Sequence, residues 1–459
     1  MLKSCLKSLL GAALAGLAIA AGAQSPPPAP VAAPNPQQPQ AQQPPTVSAS
    51  ARRLYERSKG QLLQIRTLLK TQDSQASVGS GFLVSNDGHI VTNYHVISQF
   101  ALEPDSYRLR YATTDGQGGA LELLDFDARR DLALLRAVDD GKGGGLKGRG
   151  ALGFRPQNQP LAKGERIYSM GNPHDVAFAV VEGNYNGLVE RSFDPLIYYA
   201  GGINPGMSGG PVLDEDGLVV GVNVSTLLFA QQVSFLVPGE FAESLVKRSL
   251  AAKPIRSAAW GRLRDQLTRY QDELVTRFLA APWESANHDR YRLPVPKQDF
   301  MRCWGRGTSA DTKGLDFERS QCRMDHALFV SGNLQTGWLD MSHEAYDGAK
   351  LGALRFARQY SGSFRNERLG AADKSRTAPY CKEQFVDRDG LPLRAVVCLR
   401  AYRKLDGLHD LSILVTTVDS PTEGALGRFD ARGVSFDNAL KLAAHYLEGF
   451  AWTNSSKTK

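Results

Sequence analysis

Cysteine is scarce in this sequence, five in 459 residues, and no two form a C-x-x-C pair or stand beside paired histidines. That excludes the closely spaced ligand sets of zinc sites. Beyond the N-terminal segment no apolar run is long enough to cross a bilayer, so there is no internal membrane span. A strong charge of one sign is lacking too. Lys plus Arg number 54 against 47 Asp plus Glu, and this dispersed excess of +7 does not mark a nucleic-acid partner. What remains is ordinary globular material. Its 42% apolar and 22% charged residues exclude wholesale disorder, and its length suits about three folding units.

The first 23 residues read as a secretory signal peptide: Lys3 and Lys7, an apolar stretch from Leu9 to Ala21, then the small-x-small exit Ala21-Gly22-Ala23. Cys5 precedes the apolar core, where a lipoprotein cysteine would not sit. Cleavage leaves no stable membrane span and places the mature chain in the periplasm or outside the cell. It also leaves four cysteines, Cys303, Cys322, Cys381 and Cys398, an even set that in an exported chain reads as disulfides. Residues 24–52 are dominated by Pro, Gln and Ala, and the expectation is an extended spacer.

Between about 53 and 250, short apolar runs alternate with Gly, Asn and Asp, as in Phe82-Leu83-Val84, Ser85-Asn86-Asp87-Gly88 and His89-Ile90-Val91-Thr92. Many short runs at this spacing predict an all-β sandwich or barrel. The glycine-rich stretch Gly141–Gly150 reads as a connection between two halves. Its formal G-x-G-x-x-G (Gly143, Gly145, Gly148) is discarded as a dinucleotide site because no helix pattern follows. Within 256–282, Trp260, Leu263, Leu267, Tyr270, Leu274 and Phe278 recur at three- and four-residue steps and predict an amphipathic connecting helix. Residues 285–455 predict a separate α+β domain, with a last helix from Phe436 capped by Ser435.

One detail of that domain follows from register. Asp389-Gly390 is a favoured two-residue hairpin turn, flanked by 388 and 391. Numbers paired across such a hairpin share one sum, 779, which 381 and 398 also give. Counting outward, this pair and that of Pro392 are non-hydrogen-bonded pairs. Side chains approach closest there and a missing N–H breaks no bond. Cys381 is therefore expected to join Cys398, leaving Cys303 for Cys322.

Three segments could together make a hydroxyl nucleophilic, since that task needs a base, a group orienting the base, and donors for an oxyanion. Thr92-Asn93-Tyr94-His95-Val96 closes a predicted strand and offers His95. Arg130-Asp131-Leu132-Ala133 opens another and offers Asp131, with Asp125 and Asp127 as rivals. Asn204-Pro205-Gly206-Met207-Ser208-Gly209-Gly210-Pro211 offers Ser208 in a glycine-crowded turn, whose donors would be the N–H groups of Gly206 and Ser208.

These segments resemble the trypsin-like serine peptidases, most closely the HtrA/Deg-like bacterial branch. The resemblance rests on Gly79-Ser80-Gly81-Phe82, Thr92-Asn93-Tyr94-His95-Val96, Asp131-Leu132-Ala133-Leu134, Gly171-Asn172-Pro173, Ile203-Asn204-Pro205-Gly206 and Phe235-Leu236-Val237-Pro238, in order and spacing. It covers roughly residues 55–248. It implies a double six-stranded β-barrel with the site between barrels; with the connecting helix and the disulfide-containing α+β domain read from residue pattern, the expected fold is mainly β. It further implies that His95 is the general base, Asp131 its orienting partner and Ser208 the nucleophile, with no metal or organic cofactor.

Met207 stands where the branch carries Asn and digestive enzymes Asp, a position where only the backbone is needed. Gly202, followed by Ile203, stands where trypsin-like enzymes carry a pocket carboxylate, so the implied preference is for an apolar residue before the cut bond. Substrate backbone is expected to pair against about Val222, Asn223, Val224 and Ser225. No PDZ pattern follows residue 250. The expected function is an exported serine endopeptidase acting on protein or peptide substrates, with oligomerisation left open. A protein-binding or chaperone-like module of little turnover is the alternative, and an esterase on the same triad a third reading.

Overall fold

The computed structural model describes residues 47–453 apart from 139–145, 227–231, 289, 309–313 and 365–368. The signal sequence, most of the Pro/Gln-rich spacer and the G-x-G-x-x-G stretch up to Gly145 therefore lie outside the described residues.

After helix α1 (Ala49–Ser58), six strands close a first barrel: β1 (Leu62–Leu69), β2 (Gln75–Leu83), β3 (His89–Thr92), β4 (Tyr107–Thr113), β5 (Gly118–Asp127) and β6 (Leu132–Ala137), in the order β1-β2-β3-β6-β5-β4. The turn at Ser85–Gly88 joins β2 to β3, with Gly88 at positive φ. A helix the strand pattern did not announce, α2 (Tyr94–Leu102), leaves the barrel directly after β3 and buries Tyr94, Val96, Ile97 and Ala101. A second barrel closes in the order β10-β11-β12-β9-β8-β7. Its strands are β7 (Arg166–Gly171), β8 (Ala179–Leu188), β9 (Ile197–Ala200), β10 (Pro211–Leu213), β11 (Val219–Thr226) and β12 (Ser234–Pro238), and helix α3 (Gly239–Ser249) follows. The expected double six-stranded barrel is present.

The connecting helix is α4 (Trp260–Ala280), with Leu263, Leu267, Tyr270, Leu274 and Phe278 buried along one stripe. Beyond it, β13 (Trp283–Asn287) and β14 (Tyr291–Pro296) begin a small sheet. The main sheet of this region is seven-stranded, ordered β15-β16-β19-β23-β22-β21-β20. It comprises β15 (Arg302–Gly307), β16 (Asp316–Arg323), β19 (Leu339–Asp347), β20 (Tyr380–Arg388), β21 (Leu391–Ala401), β22 (Leu408–Thr417) and β23 (Glu423–Ser435). A separate two-stranded hairpin, β17 (Leu328–Ser331) with β18 (Leu334–Thr336), projects from it. Helix α5 (Ala353–Ser363) covers one face through Phe356, which clusters with Leu414 and Leu426. Helix α6 (Phe436–Glu448) covers the other, its Tyr446 stacked on Phe429, and β24 (Ala451–Trp452) closes the chain. Ser435 caps α6, its hydroxyl accepting from the Asn438 N–H at 3.2 Å.

Across the β20–β21 hairpin Cys381 faces Cys398, with Asp389 and Gly390 both at positive φ, as a two-residue turn of the right twist requires. Disulfides join Cys381 to Cys398 and Cys303 to Cys322. The C-terminal region does not stand apart as a separate body. One apolar cluster runs from Leu63, Tyr94 and Phe126 of the first barrel through Tyr270 and Phe278 of α4 to Met341, Ile413 and Phe429 of the sheet.

Candidate active site

His95 is the second residue of α2 rather than the end of a strand. Asp131 sits at the start of β6 in the left-handed region, φ +53°, a conformation costing a non-glycine residue about 1 kcal/mol or more. Its own bonds hold it there. The Asp131 carbonyl accepts from the Asn93 side-chain amide at 2.7 Å and from the Tyr94 N–H at 3.1 Å. Its carboxylate accepts from the His95 N–H at 2.7 Å and contacts His95 Nδ1 at 2.5 Å. One aspartate thus caps α2, where the helix N-terminus favours negative charge, and orients the imidazole. Because a carboxylate only accepts, Nδ1 carries the proton and Nε2 is left as the base. Burial works against a charged imidazole, but the Asp131 carboxylate more than offsets it and holds the His95 pKa above its ordinary 6.5. The rivals are engaged elsewhere: Asp125 with Ser249 and Arg262, Asp127 with the Arg130 N–H.

Ser208 lies in the turn between β9 and β10. Gly209, φ +83°, packs so tightly that a Cβ there would fall 2.3 Å from the Ser80 carbonyl oxygen and 2.4 Å from Thr92 Oγ1. The Ser208 turn is therefore pressed against the end of β3, two residues before α2. Gly206, φ +95°, is equally obligatory, since a Cβ would fall 2.4 Å from the Asn172 carbonyl oxygen. The His174 N–H donates to the Pro205 carbonyl at 2.7 Å. In a trans peptide this turns the Gly206 N–H the opposite way. Among the described residues neither the Gly206 nor the Ser208 amide donates to a protein acceptor. Two backbone donors are thus open beside the Ser208 hydroxyl. The Ser208 hydroxyl and His95 share no hydrogen bond among the described residues, a looseness common in catalytic sites without substrate.

Ser80 stands out in the sequence only as part of a motif, yet every polar atom it has is tied into the site. Its N–H donates to the Ser208 carbonyl and its own carbonyl accepts from Thr92 Oγ1, both at 2.7 Å. Its hydroxyl donates to the Gly206 carbonyl at 2.7 Å and accepts from the Asn172 N–H at 2.9 Å. The signal in the sequence was a small hydroxyl residue between two glycines, Gly79 and Gly81. Met207 is more than backbone: its side chain is fully buried with Ile167, Tyr199 and Leu236.

The expected substrate strand needs correction. Val222 is buried and paired with both Pro211 and Val237. Asn223 exchanges backbone bonds with Gly209 and Gly210 and is fully buried, its side chain bonded to Ser169, Met170 and Met207. Neither presents an edge. Beyond the start of β10, Ser225 pairs with Phe235 of β12, Val224 lies at a bulge in that pairing, and among the described residues neither has a strand partner on the other side. Ile203 is buried, its N–H donating to Ser234 Oγ at 3.2 Å, whereas a side chain at Gly202 would meet nothing within 4 Å.

Residues 79–222 match the family described as the trypsin-like peptidase domain. The match falls within the double barrel. A probable periplasmic serine endoprotease, DegP-like, from Marinomonas sp. (strain MWYL1) is 31% identical over 196 residues, covering 41% of this chain and 39% of that protein. Serine protease HTRA1 of Xenopus laevis is 32% identical over 189 residues, covering 39% and 38% respectively. A crystal structure of the serine endoprotease from Yersinia pestis aligns over 44% of this chain and 67% of that one, at 21% identity and a TM-score of 0.37. This chain therefore spans under two fifths of the length of these curated relatives, and the likeness to them belongs to the trypsin-like domain. Among the described residues no helix is long and apolar enough to cross a membrane.

Proposed function

We propose that this protein is an exported serine endopeptidase that hydrolyses peptide bonds of protein substrates through an acyl-enzyme. The observation that carries the reading is the His95–Asp131 unit, with Asp131 bonded to both the backbone and the ring of His95, beside a Ser208 turn with two uncommitted amides. In this reading His95 Nε2 takes the Ser208 proton as Oγ attacks the carbonyl, and Asp131 stabilises the imidazolium without itself being protonated. The Gly206 and Ser208 N–H groups receive the oxyanion. His95 then protonates the leaving amine, and water regenerates the serine by the same route. The open space at Gly202, the position where trypsin-like enzymes carry a carboxylate, supports a preference for an apolar residue before the cut bond. The signal-like N-terminus, two disulfides and relatives named as periplasmic support export.

The second reading, a binding or chaperone-like module of little turnover, is favoured by the absent Ser208–His95 hydrogen bond. One experiment separates the two. A serine-directed fluorophosphonate is expected to label the purified protein and to leave Ser208→Ala unlabelled, with casein degraded only by the parent. An unlabelled parent that leaves casein intact would favour the binding module.

A further inference from the structure

A cavity of about 610 Å³ lies where the loop between β8 and β9 meets the C-terminal region. Its apolar lining is contributed from both sides. Phe193 of the loop is set edge-on to Tyr270 and Phe300, at 5.3 and 5.2 Å between ring centres. Phe235 enters from β12, and Met324 and Trp304 from the C-terminal side. Both flanks of this cavity adjoin the candidate active site. Phe235 is the register partner of Ser225, on the part of β11 that keeps an open edge. The segment Met324–Ala327 runs directly into β17, where Phe329 meets the His95 ring at 6.0 Å and the Val330 carbonyl accepts from Tyr94 OH at 3.1 Å. One continuous segment, Met324–Val330, therefore walls the cavity at its start and reaches the imidazole at its end.

Charge at the rim has one sign in excess. Arg191, Arg302 and Arg323 face Asp325 and Asp340. Asp325 is matched to Arg302 at 2.7 Å, with Arg323 3.8 Å away, and Asp340 accepts from the Gln321 amide. Arg191 is exposed and makes no ion pair among the described residues. Trp304, 51% exposed, lies under the Arg323 guanidinium at 5.5 Å and is an unusual residue to leave open to solvent on an edge strand.

From this we infer that the C-terminal region supplies a distal substrate subsite, which takes the segment of a polypeptide several residues before the cut bond and favours an aromatic or large apolar side chain followed by an acidic one. The inference rests on the proposed peptidase reading. A substrate paired antiparallel along Val224 and Ser225 carries its earlier residues past Phe235 and into this cavity, at about 3.3 Å per residue. The apolar floor receives the large side chain, and the arginine rim receives the carboxylate.

The test uses two quenched peptides sharing one cleavable core, extended upstream by six residues that contain either Phe and Glu or only Gly and Ser. The Phe/Glu extension is expected to raise kcat/KM about tenfold in the parent, the effect of burying one large apolar side chain. In the double variant Trp304→Ala, Arg323→Ala, both changes at exposed side chains, the ratio between the two peptides is expected to fall to near one. Equal cleavage of the two peptides by a parent preparation that labels with fluorophosphonate in a separate sample would overturn the subsite, as would a double variant that keeps the full ratio. A parent that neither labels nor cuts either peptide brings down the peptidase reading and the subsite with it.

Discussion

At the scale of single residues, the site turns on what Asp131 does to His95. Base catalysis needs the neutral imidazole, and the carboxylate holds the His95 pKa above 6.5. Activity is therefore expected to rise with pH through a midpoint above 6.5, read as the acidic limb of kcat/KM. In Asp131→Asn only burial remains, so the midpoint should move below 6.5, while kcat falls on the order of 10⁴ through the wrong tautomer. The stability consequence has the opposite sense. A His pKa raised by folding stabilises fully below the unfolded value and loses that contribution as pH climbs past the raised one. Ser80 offers a second residue-scale test. Its hydroxyl pins the Gly206 carbonyl and the Asn172 N–H from within the barrel wall. Ser80→Ala should lower kcat about tenfold with KM little changed, less than the 10²–10³ of losing an oxyanion donor outright. A fall in both kcat and KM would point to a different role for that hydroxyl.

Elements divide by whether their determinants are local. The β20–β21 hairpin was legible because turn chemistry and parity are local. Asp389-Gly390 fixes the reversal, and counting outward puts Cys381 opposite Cys398. Helix α4 was legible from its stripe, and α6 from its serine cap. Helix α2 was not. Asn93-Tyr94-His95-Val96-Ile97 reads as the continuation of β3, and what turns it is a tertiary cap, the Asp131 carboxylate reaching the His95 N–H from 36 residues away. The edge of β11 was misplaced for a related reason. A run such as Val222-Asn223-Val224-Ser225 does not reveal that β10 ends opposite its middle. Both disulfides tie cross-strand neighbours, at sequence separations of 19 and 17 residues. Loops of this length give about 3 kcal/mol each in the chain-entropy view. The pair Cys381→Ala, Cys398→Ala should accordingly lower the urea midpoint of the sheet while the labelling rate at Ser208 holds. A lost labelling rate would mean that the hairpin reaches further toward the cleft than its edge position suggests.

For the molecule as a whole, the informative feature is that the double-barrel half shares its core with the C-terminal region. Tyr94, adjacent to His95, is fully buried, stacks on Phe126 at 4.9 Å and donates to the Val330 carbonyl of β17. Arg129, two residues before Asp131, is shared between Asp194 on the β8–β9 loop and Glu273 on α4. The backbone of β5 bonds to α4 as well: the Gln266 side chain accepts from the Ala128 N–H and donates to the Phe126 carbonyl. Residue pattern alone predicted two bodies joined by a strut, because apolar periodicity says which face is buried and not what buries it. Removing everything after Ile255 would uncover the apolar side of α2 and strip Phe126 and Ala128 of their α4 partners, while the β-barrel hydrogen bonds stayed intact. Exposing a contiguous apolar face of this kind is a route to aggregation. A chain ending at Ile255 is therefore expected to be recovered poorly soluble and to label with fluorophosphonate at least tenfold more slowly than the full chain. The sharper control keeps the fold: Tyr94→Phe deletes only the bond to Val330, so it should stay soluble and cost about 1 kcal/mol. If the truncated barrels instead prove soluble and label at the parent rate, the shared core is dispensable and the catalytic unit folds alone.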